Sequence, residues 1–277
     1  MSADPRYGAT TAAPANAPVN APANAPAPRM ATDGHREWSD LAVAEDHEGW
    51  ISRSRVFLTP IAAPSIMGLF GFMIATIMLG AWQAGWFGTR ATPLLIWPLA
   101  LFAGGLLQTI AAVASFRARD GVALAAHTAW GAFWFAWGTL QALVAGHIIP
   151  VIPLGSSSPS FAIWFVPLAL VTFWATLGAL AENMWLFITL AVLTAAAAVT
   201  AAGFWAGNLG VTQAGGWLFV VAGAAAWLTA GAMVLEHAYG RTVIPMGRWS
   251  TRGNIPGAID RDPIEYRPGM PGVKVGQ

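Results

Sequence analysis

Apolar and polar residues separate along this chain into three blocks. Residues 1 to about 60 contain no long apolar run, residues 61 to about 240 are apolar with short breaks, and residues 241–277 are again rich in Pro, Gly and charge. A bilayer-spanning helix needs ~20 apolar residues. Cut to that length, the central block yields six spans: 64–84, 94–116, 122–146, 161–181, 184–206 and 215–236. Gly, Pro or charge marks every break, at 85–93, 117–121, 146–160, 182–183 and 207–215. The fourth break is Glu182-Asn183 alone, which predicts a tight hairpin between spans four and five. The pattern therefore predicts an all-α integral membrane protein with six transmembrane helices.

Composition agrees with lipid as the main solvent. Of the 277 residues, 56% are hydrophobic and 10% charged, against about a quarter charged in soluble domains. The absence of cysteine removes disulfides, thiolate metal sites and cysteine nucleophiles. Arginines near the span ends fall almost entirely on one side: Arg53, Arg55, Arg117, Arg119, Arg241, Arg248 and Arg252 face Arg90 alone. By the positive-inside rule both termini are expected in the cytoplasm. The chain then divides into a cytoplasmic tail (1–60), a six-helix transmembrane domain (61–240) and a C-terminal cytoplasmic tail (241–277). The first tail repeats Asn16-Ala17-Pro18, Asn20-Ala21-Pro22 and Asn24-Ala25-Pro26, and proline at that density predicts extended, disordered chain. It lacks the apolar centre of a signal peptide, so no cleavage is expected. Asp33 to Trp50 is acidic with scattered apolar residues, a weak pattern for a short surface helix.

Ionisable groups inside a membrane are the default functional candidates. Here Arg90, Arg117, Arg119, Asp120, Glu182 and Glu236 all fall at span ends or in breaks. His127, His147 and His237 share no i, i+3 or i, i+4 spacing, so no metal ligand set is read. Neither a catalytic cluster nor a phosphate loop is present, and the chain is read as no enzyme, with no cofactor and no nucleic-acid partner. The spans carry hydroxyls, amides and aromatics instead: Thr76, Gln108, Thr109, Thr128, Thr139, Gln141, Thr172, Thr176, Thr189 and Thr194. A lone threonine in a span usually bonds back to its own helix. Gln108 needs an outside partner, either another helix or a solute. An uncharged path lined by hydrogen-bonding groups suits a small weak acid, passing as the neutral acid or as a briefly dehydrated anion. Trp130, Phe133, Trp134 and Trp137 form one aromatic stripe on span three, for packing or for narrowing a pore. Ala222, Ala226 and Ala230 form a small-residue stripe on span six, for intramolecular packing or a subunit interface. Pro64, Gly68 and Gly71 at the start of span one can leave backbone N–H groups free for an anion.

Several stretches, in order, resemble the acetate uptake transporter family. They are Ala63-Pro64-Ser65-Ile66-Met67-Gly68-Leu69, Gly104-Gly105-Leu106-Leu107-Gln108 and Thr128-Ala129-Trp130-Gly131-Ala132-Phe133-Trp134. Ala206-Gly207-Asn208, Ala214-Gly215-Gly216-Trp217 and the ending Tyr239-Gly240-Arg241-Thr242-Val243-Ile244-Pro245-Met246-Gly247 follow. The last block is the most specific, and the resemblance covers about 62–247. It implies a six-helix subunit of a homohexamer in the bacterial inner membrane, each protomer with its own pathway for acetate or a similar small monocarboxylate, by symport or channel-like passage. It also implies a constriction at Phe72, Trp130 and Leu190. Pro64, Ser65 and Gly68 then shape the inner vestibule, while Gln108 and Thr128 offer hydrogen bonds along the path. The chain departs from the family pattern at Ala63 (Asn), Ile66 (Pro), Trp130 (Tyr) and Ser115 (Glu). Those departures motivate an alternative, a membrane accessory or scaffold subunit of a larger complex.

Overall fold

The structure, a computed structural model, describes residues 62–118, 120–150 and 154–248, with 154–158 as backbone. The expected Asn-Ala-Pro tail, the Asp33 to Trp50 helix and residues 249–277 lie outside this range. The described chain forms six helices: α1 (Pro64–Gln83), α2 (Pro93–Ala118), α3 (Gly121–Ala145), α4 (Leu154–Ala179), α5 (Met184–Ala206) and α6 (Leu209–Tyr239). Local chemistry explains the ends. Pro64 and Pro93 open α1 and α2, where a missing N–H costs nothing. Asp120, Asn183 and Asn208 cap α3, α5 and α6 by accepting from the N–H of Ala123, Leu186 and Val211. Gly207 (φ 61°) and Gly240 (φ 60°) end α5 and α6 in the left-handed region that glycine enters without strain.

Five helices are long and apolar enough to cross a bilayer. The remaining one, α3, has 25 residues, about 37 Å at 1.5 Å per residue. Its hydropathy is lowered by His127, Gln141 and the tryptophans. Trp130, Phe133, Trp134 and Trp137 are all buried in the common core.

The helices close into a ring. Each packs on its chain neighbour, and α6 returns to pack on α1. Small residues set the tightest seams. A Cβ on Gly216 would fall 2.7 Å from the Gly80 carbonyl oxygen, so α1 and α6 touch backbone to backbone. Gln83 crosses the same seam, its Nε2 donating to Thr200 Oγ1 (2.9 Å) on α5 and to the Thr212 carbonyl (2.8 Å) on α6. Ala222, Ala226 and Ala230 are fully buried within the protomer, which assigns that stripe to intramolecular packing.

Three boundaries differ from the sequence reading. α6 begins at Leu209 rather than 215, because Gly215 and Gly216 serve close approach to α5 and α1 rather than breaking the helix. α4 begins at Leu154 rather than 161 and tolerates Pro159 and Pro167 in its interior. α2 is not uniform: after Pro98, which removes one backbone donor, Ala100–Leu107 winds as a π-helix. Such wide turns often mark functional segments. Here the Ala103 carbonyl leans against Gly71 of α1.

Beyond α6 the chain folds back across the start of α5. The carbonyls of Gly247 and Met246 accept from the N–H of Met184 (3.2 Å) and Trp185 (3.4 Å), two of the donors a helix start leaves open. Met246 is buried, and Arg248 holds Glu236 through two bonds of 2.6 and 2.7 Å.

Candidate functional site

A cavity lies inside the ring, between α1, α2, α3 and α5. Its apolar wall is Leu69, Phe72, Trp130, Leu190 and Leu193; its polar groups are Ser65, Gln108, His127 and Thr189. The space open to water-sized bodies is about 20 Å³, and a single water needs ~10–15 Å³ on that measure. Acetate passes only if side chains move. Among the described residues, no Lys or Arg lines the cavity.

Aromatic rings form part of the apolar wall. Phe72 and Trp130 meet edge to face at 5.9 Å, and Trp130 makes similar contacts with Phe133 (5.5 Å) and Phe219 (5.9 Å). Leu190 on α5 is buried in the same cluster. The Trp130 indole donates to Thr172 Oγ1 on α4 (3.0 Å), and Thr172 in turn donates to the Leu168 carbonyl (2.6 Å). Trp130 is thereby fixed by a hydrogen bond as well as by packing.

The polar end is built around Gln108. Its Nε2 donates to the Gly104 carbonyl (2.9 Å) within the π-helical stretch, and its Oε1 lies 3.3 Å from His127 Nδ1. The His127 ring sits over Gly68, where any Cβ would collide with it. Towards the helix ends, Ser65 Oγ donates to Asp120 Oδ2 at 3.4 Å. Glu182, in the turn before α5, has its carboxyl pushed up to about 7 by burial and, second, by the Asp120 charge.

The sequence-derived residues divide as follows. Phe72, Trp130, Leu190, Ser65 and Gln108 all border the cavity. Gly68 stands behind it, against His127. Pro64 lines a separate shallow recess with Met67 and Arg117. Thr128 is exposed and does not border the cavity. Adjacent helix positions point about 100° apart, and it is His127 that takes the inward direction. His127 was passed over because its spacing fits no metal site; a lone imidazole inside a span was the available signal. Back-bonding holds for Thr172, Thr176, Thr189, Thr194 and Thr229. It fails for Thr76, whose buried hydroxyl has no protein partner. Ser115 bonds back to the Ala111 carbonyl (2.8 Å) and is fully buried.

A six-helix ring with a closed central constriction is the architecture of a pore or carrier, and comparison with known proteins agrees. The model of the GPR1/FUN34/yaaH family matches residues 52–247. The chain belongs to that family. Within the GPR1/FUN34/yaaH family, it is 31% identical over 195 residues to the succinate-acetate/proton symporter SatP of Escherichia coli (strain K12), covering 68% of this chain and 97% of that one. It is 28% identical over 171 residues to the Saccharomyces cerevisiae ammonia transport outward protein 2, covering 61% of this chain and 60% of the yeast protein. The solved structure of the bacterial acetate channel SatP superposes with a TM-score of 0.61 at 27% identity, covering 68% of this chain and all of that one. This chain is a multi-pass membrane transport protein of the GPR1/FUN34/yaaH family and not an enzyme.

Proposed function

We propose that the chain carries acetate, or a monocarboxylate of similar size, along the axis of its helix ring, with Phe72, Trp130 and Leu190 as the gate. The observation that carries this is the cavity: apolar rings border one end and hydrogen-bonding groups the other, with no fixed cation between them among the described residues. The similarity to SatP supplies the substrate class. The ends of α2 and α6 with the α4–α5 turn face the cytoplasm, following the arginine bias, so the polar half of the cavity is the inner vestibule. The working unit is a homohexamer in the bacterial inner membrane. The exposed Phe102, Phe116, Trp174 and Trp227 give the protomer an apolar outer surface for lipid and neighbouring copies.

Radiolabelled acetate uptake into proteoliposomes, against empty liposomes, tests the reading. Saturable uptake above the control is expected, increased by an inward proton gradient. Uptake equal to the control from folded protein overturns it.

A further inference from the structure

We propose that His127 recognises the substrate as the undissociated acid, accepting its O–H at Nε2. This rests on the transport reading above and names the chemical form that is carried. Gln108 decides the tautomer. Its amide nitrogen is committed to the Gly104 carbonyl, which leaves Oε1 towards His127, so Nδ1 carries the ring hydrogen. The neutral ring then offers a lone pair at Nε2. That nitrogen has no hydrogen-bond partner among the described residues, and the ring, which occupies the space a Gly68 side chain would fill, borders the cavity.

The anion is the poorer occupant. Burying a carboxylate without a counter-charge is costly, and among the described residues no Lys or Arg borders the cavity. The charged groups on the surrounding elements stand at helix ends: Arg117 on α2, Asp120 before α3, Glu182 before α5, and Glu236 with Arg248 at α6. Among the described residues, α1 and α4 carry none. Asp120, which accepts from the cavity residue Ser65, is acidic and repels an anion. An acetic acid molecule brings its own donor and no charge. Its proton crosses with it, so passage is electroneutral and coupled to protons without a separate relay.

The test uses the full-length protein in proteoliposomes, with empty-liposome entry subtracted. Between about pH 6 and 8 the undissociated fraction of acetate falls about tenfold per pH unit. The KM for total acetate is expected to rise by the same factor at each step, and the rate to ignore an imposed membrane potential. Acetamide, uncharged and carrying an N–H in place of the O–H, is expected to compete. His127→Phe keeps a flat ring but removes the acceptor, and is expected to weaken both acetate saturation and acetamide competition about tenfold or more. Saturable wild-type uptake with a pH-independent KM and no acetamide competition overturns the His127 proposal and leaves the transport reading standing. A single step in KM near neutral pH, in place of a sustained slope, points to Glu182 and also overturns it. Should His127→Phe fail to assemble, the two wild-type measurements decide alone. Absence of saturable wild-type uptake overturns both readings.

Discussion

Trp130 borders the cavity, and two neighbours hold it there, Phe72 by ring contact and Thr172 by the indole hydrogen bond. Thr172→Val keeps the volume and removes the acceptor. The indole N–H is then buried without a partner, a loss of about 1–3 kcal/mol. A lower midpoint of thermal unfolding and a changed uptake rate are the expected results. Phe72→Ala and Trp130→Ala widen the constriction, so acetate flux should change strongly at equal membrane abundance. Unchanged flux in both would refute the gate. Gly68→Ala pushes a methyl into the His127 ring, and uptake should fall while the oligomer still elutes as in the wild type.

Helix ends in this protein are specified by single residues. Asn208 alone caps the 31-residue α6 after the left-handed Gly207, and Asn208→Ala should lower stability by about 1 kcal/mol, read by thermal unfolding in detergent. The same cap shows where sequence reading reaches its limit. Apolar runs between Gly, Pro and charge breaks locate all six helices, because ~20 apolar residues have few soluble alternatives. They could not place the start of α6, since Gly215-Gly216 looks the same as a helix breaker or as a contact surface until α1 is set against it. The π-helical stretch of α2 is equally silent in the sequence, where only Pro98 marks it. At the site, Phe72, Trp130 and Leu190 came from family resemblance, whereas the inward turn of His127 in place of Thr128 depends on the rotation of α3, which hydropathy leaves open when a helix is polar on its inner face. The ending Tyr239 to Gly247 was the most specific block of sequence, and its fold gives a reason: it closes the open donors of α5.

For the molecule as a whole, the Glu182 turn introduces a pH dependence. Its carboxyl is raised from 4.5 to about 7 in the folded protein. Below about pH 4.5 it is protonated folded or unfolded and has no effect on the balance. As pH rises towards about 7 the unfolded chain ionises first, and folded stability falls before levelling off. Glu182→Gln should flatten that part of the thermal stability profile. A slope identical to the wild type's would show that burial at this turn is not its source.

The α1–α6 seam also bears on how the protein is made. Gln83 and Thr212 meet across it although they stand 129 positions apart. Contacts this remote in sequence are slow to form, since loop closure must precede any gain from them. Five helices therefore wait in the bilayer as an open crescent while the sixth is synthesised. Until it arrives, the faces of α1 and α5 that α6 covers stand open, and the Gln83 amide has no Thr212 carbonyl to bind. A chain that ends before Leu209 keeps only the Thr200 partner of that amide.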